Sequence, residues 1–101
     1  MADNILTDIV PADLKCVACP HGNVKLNFQK LGHPGICIES QRENDKSMTI
    51  LASPHRSPYF DLRANQVIGA SEVRKYQYRY LNADGTPGGA CSAVLEITTE
   101  P

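Results

Sequence analysis

From Glu72 the chain reads EVRKYQYRYLN, and Tyr76, Tyr78 and Tyr80 recur at every second position. Successive side chains of an extended strand point to opposite faces, whereas a helix would scatter these three rings around its circumference. The segment is therefore a strand whose tyrosines need a core, with Lys75, Gln77 and Arg79 on the solvent side. The same period returns in Val24, Leu26 and Phe28, whose intervening Lys25 and Asn27 are polar, and in Ile36 and Ile38, with Cys37 turned the other way. CSAVLEITT aligns Ala93, Leu95 and Ile97 as a last strand, and MTILA and PYFDLRA are shorter candidates.

Between these runs lie LGHPG, QRENDKS, SPHRSP and ADGTPGG, rich in the glycine, proline and polar residues that turns require. NQVIGASE is a connection whose apolar pair, Val67 and Ile68, is expected to tuck against the core. Helix signals are weak, since the best window, Ile5 to Leu14, is interrupted by Pro11. Short strands at near-regular spacing predict an all-β antiparallel β-sandwich of about seven strands. The predicted core is Val24, Leu26, Phe28, Ile36, Ile38, Tyr76, Tyr78, Tyr80, Leu95 and Ile97.

With 101 residues the chain suits one domain, long enough to bury a core without metal or disulfides. We divide it into an N-terminal arm, residues 1–13, and a sandwich, residues 14–101. The arm carries Ile5, Leu6, Ile9 and Val10, more apolar side chains than a free tail usually holds, and these are candidates for self-association. Its first ten residues, MADNILTDIV, have acids where a secretory leader has Lys or Arg. No leader is expected, which favours a cytoplasmic setting or a place in an assembled particle. No run approaches the eighteen apolar residues of a membrane span. A net charge of −1 speaks against a nucleic-acid grip built on phosphate neutralisation.

Several residues resemble a known family. Ser57, Pro58, Tyr59, Asp61 and Arg63, followed by Glu72, Val73, Arg74 and Tyr76, are similar to the Ser-Pro-Tyr-x-Asp-x-Arg and Glu-Val-Arg-x-Tyr stretches of fibronectin type III-like modules in uncharacterised bacterial proteins. A glycine-containing turn, Gly85 to Gly89, and a final strand, Ser92 to Ile97, extend the likeness over most of the chain. It implies an immunoglobulin-like or fibronectin-like sandwich acting as a binding or spacer module. Many such modules carry a tryptophan in the second strand; this chain has none, so Phe28 is expected to fill that volume. The resemblance also offers Tyr76 as a tyrosine corner, its hydroxyl bonding back to backbone. The adhesive Arg-Gly-Asp tripeptide of some members is absent from ADGTPGG.

Metal chemistry is the chief alternative. Cys16, Cys19, His33 and Cys37 fall at zinc-finger spacing, but Pro34 and its flanking glycines oppose the helix that would bring His33 and Cys37 together. In an extended chain those two lie about 13 Å apart. A tighter cluster, Cys16, Cys19 and His21, remains a candidate metal site or disulfide. No hydrolase elbow, phosphate loop or metalloprotease motif is present, and no enzymatic activity or cofactor is expected. The expected function is thus a non-enzymatic structural or protein-interaction module, with protein partners that include other copies of itself. A small metal or redox module is the alternative.

Overall fold

The structure, a computed structural model, describes residues 15–101. The arm residues Ile5, Leu6, Ile9 and Val10, and the proposed boundary at residues 13 and 14, lie outside the described residues. Among the described residues seven strands follow one another: β1 (Lys15–Ala18), β2 (Val24–Asn27), β3 (Ile36–Arg42), β4 (Thr49–Ala52), β5 (Tyr59–Asp61), β6 (Val73–Tyr80) and β7 (Leu95–Thr98). They form two antiparallel sheets, sheet A in the order β1-β2-β5 and sheet B in the order β4-β3-β6-β7. This is the expected sandwich. The only helical element among the described residues is one 3-10 turn, Pro20–Gly22, between β1 and β2.

Side-chain alternation closes the core. Val24 and Leu26 from sheet A, with Phe28 just after β2, meet Ile36, Ile38, Tyr76, Tyr78 and Tyr80 from sheet B in one buried cluster. Leu95 and Ile97 pack against it while staying partly exposed, because β7 is an edge strand. Phe28, 5% exposed, is part of this cluster. The pairing of β3 with β6 runs unbroken from Ile36 opposite Tyr80 to Arg42 opposite Arg74, and it forms the centre of sheet B.

Three details differ from the sequence expectations. QRENDKS is not all loop, since Gln41 and Arg42 continue β3 before Asp45 turns the chain by accepting the Arg42 amide. Ala93 is exposed and precedes β7, because Ser92 interrupts the ladder: its hydroxyl accepts the Tyr78 amide in place of a backbone carbonyl. The largest difference is at Val67 and Ile68, which are 59% and 99% exposed. Ala70 donates to the Val67 carbonyl across a tight turn, and Gly69 takes the positive φ (78°) that its third position demands. Gln66 meanwhile anchors the start of the turn to Glu72 and Asp45. Ile68 is left at the tip of the turn, facing water.

Candidate interaction surface and the inter-sheet clamp

The inward row of β6 begins not with a tyrosine but with Arg74, which is completely buried. A buried guanidinium needs partners for its donors, and here it finds them. Nε donates to Glu72 Oε2 at 2.7 Å, Nη1 to Asp61 Oδ2 at 3.3 Å and Nη2 to the Arg63 carbonyl at 2.9 Å. Asp61, 1% exposed on β5, also accepts the Tyr76 hydroxyl at 2.6 Å and a two-pronged contact from Arg63, both arms at 2.9 Å. Arg63 reaches on to Ser40 Oγ at 2.9 Å. Glu72 Oε1 accepts the Gln66 amide at 2.6 Å, and the Glu72 amide donates to Thr99 Oγ1 at 2.9 Å.

Two carboxylates thus face two guanidiniums, and the group joins sheet A to sheet B. Asp61 belongs to sheet A, whereas Arg74, Tyr76 and Ser40 belong to sheet B. Burial would push the Asp61 carboxyl up, but the hydrogen bonds from Arg63 and Tyr76 and the Arg63 charge outweigh it and hold it below the usual range. The Tyr76 hydroxyl is pushed well up, first by burial and then by the adjacent Asp61 carboxylate. A general base working near neutrality needs a raised carboxyl and access to substrate; Asp61 has neither. The constellation is a clamp between the sheets. Tyr76 accordingly bonds a carboxylate rather than backbone, so the tyrosine-corner expectation is corrected.

The cysteines and histidines are dispersed. Cys16, on β1, packs against the core with its sulfur 3.9 Å from the Tyr78 hydroxyl, and burial pushes its thiol up. Cys19 Sγ lies 3.7 Å from the Val17 carbonyl, and His21 is exposed in the 3-10 turn. His33 stacks on Tyr80 with ring centroids 4.2 Å apart. Cys37 is buried on the outer side of β3, where Ser53 and Arg79 lie close to it. All four cysteines are free, and among the described residues no three His, Cys, Asp or Glu side chains are grouped to hold a metal. The finger-like spacing in the sequence is divided between the two sheets. The tyrosines of β6 are fully buried, and the Gln77 and Arg79 side chains on the opposite face engage Glu39.

Sheet A has a different outer side. The register places Val17, Lys25 and Phe60 in one row across β1, β2 and β5. Val17 and Phe60 are each 47% exposed, and Leu62, just beyond β5, is 69% exposed. The next row is Lys15 opposite Asn27, and both border a shallow depression of about 520 Å³ that also meets Phe28, Gln29 and Ser57. Lys25 thus sits between the two apolar side chains, and Lys15 stands in the row beside it.

The sequence matches no family model and no curated protein. Among solved structures, the chain is similar to the solution structure of the fibronectin type-III domain of human fibronectin type III domain containing protein 3. The likeness covers 94% of this chain and 88% of that one, with a TM-score of 0.60 and 20% sequence identity. The fold is that of a fibronectin type III-like module. A likeness at this identity extends to the fold alone.

Proposed function

We propose that the protein is a non-enzymatic structural or protein-interaction module that associates with other copies of itself through its N-terminal arm. One contrast carries this reading. Asp61, Glu72, Arg63 and Arg74 are consumed in the closed clamp, whereas Val17 and Phe60 of sheet A, with Leu62 just beyond β5, stand out into solvent. Such a chain presents a surface for docking and holds its charges for stability. Cys16 faces Tyr78 in the core, so the metal or redox alternative at Cys16, Cys19 and His21 lacks a supporting contact. Light scattering on the full chain and on a form lacking residues 1–12 tests the proposal. Association that the deletion abolishes supports it; a monomeric mass in both forms contradicts it.

A further inference from the structure

We infer that the outer face of sheet A is the seat for the arm of a second copy of this chain. The inference rests on the self-association reading and adds the surface that receives the arm. Val17 and Phe60 flank Lys25 in a single row, so an apolar stripe with a cation at its middle crosses the three strands. Lys15 stands in the neighbouring row beside the depression that it shares with Asn27 and Ser57. The seat is thus apolar and positively charged.

The occupant is the chemical complement of that surface. The fourteen residues before Lys15 contain Asp3, Asp8 and Asp13 and no lysine or arginine. Ile5, Leu6, Ile9 and Val10 lie between these acids. An arm with alternating acidic and apolar stretches can bury its aliphatic side chains against Val17 and Phe60 while its aspartates approach Lys15 and Lys25. Three strands at about 4.8 Å spacing give a face about 10 Å across, which three or four extended residues traverse. Pro11 disfavours a helical turn at Val10, and β1 lies at the edge of sheet A. Mutual exchange between two copies satisfies both arms and both faces with a closed two-fold contact.

The test uses three altered forms of the full protein: a deletion of residues 1–12, Phe60→Glu, and Val17→Asp on a separate strand. Circular dichroism checks that each keeps its sheet content, and sedimentation velocity reads its mass. The deletion and both face variants are expected to lose association. An equimolar mixture of the deletion form, with its face intact, and Phe60→Glu, with its arm intact, is expected to restore a one-to-one complex. If the deletion dissociates the protein but Phe60→Glu and Val17→Asp retain the wild-type mass, the arm docks elsewhere and this seat is wrong, while the association reading survives. A full chain that is monomeric, including one whose arm covers its own sheet, overturns both.

Discussion

Arg74 shows how a single residue reports on its surroundings. It shares the parity of Tyr76, Tyr78 and Tyr80, so a strand that buries the tyrosines must bury the guanidinium as well. Asp61 and Glu72 supply the charge it needs, and removing one partner of a buried ion group strands the others. Arg74→Met is therefore expected to lower stability by about 3–5 kcal/mol, read by urea denaturation. Asp61 adds a pH dependence. Its carboxyl lies lower in the folded state than in the unfolded chain, so the folded form holds fewer protons as the medium acidifies. The stability it contributes is complete above about pH 4 and is lost as pH falls through its lower folded value. Urea midpoints measured downward from pH 6 should fall through that acid range, and Asp61→Asn should start lower and fall less steeply. Only the tyrosines of this strand were expected in the core, although the inward parity of Arg74 was legible in the same spacing. Its partners were not, because Asp61 reaches Arg74 only through the packing of β5 across the sandwich.

At the scale of elements, two-residue alternation located the strands because each buries one face and wets the other. It failed where side chains replaced backbone in the ladder. Ser92 does so beside β6, and the regular part of β7 begins only at Leu95, after Ala93. It failed again at Val67 and Ile68, where a four-residue turn takes precedence over the apolar character of its tip. Turn geometry follows from Gly69 and the anchors on Gln66, neither of which hydropathy records. The start of β3 makes a further demand. The Ile36 amide donates to the Pro54 carbonyl at 3.1 Å, and a Cβ on Gly35 would intrude on that same oxygen and on the Cα of His55. Both obstacles are backbone and cannot rotate away. Gly35→Ala should cost about 1–3 kcal/mol in the same denaturation experiment, with its loss coming from displaced backbone rather than from any polar group.

The described residues combine a fibronectin type III-like sandwich, an inter-sheet clamp and an outward row in which Val17 and Phe60 flank Lys25. The sandwich was legible in the sequence because its core is built from regular periods. The outward row was not, because Val17 and Phe60 become neighbours only through the pairing of β1, β2 and β5. The candidate metal cluster was legible as spacing alone, and the fold sends Cys16 inward to Tyr78 instead. If docking on this face joins aspartates to lysines, association should weaken as salt rises from about 0.05 to 0.5 M, since exposed charge pairs are screened. The most direct measurement is the molar mass of the full chain by sedimentation equilibrium, beside that of a form lacking residues 1–12. The full chain should reach at least twice its 11.0 kDa monomer mass in a concentration-dependent manner, and the shortened form should remain at the mass of one chain. A full chain that stays at 11.0 kDa at every concentration would contradict self-association.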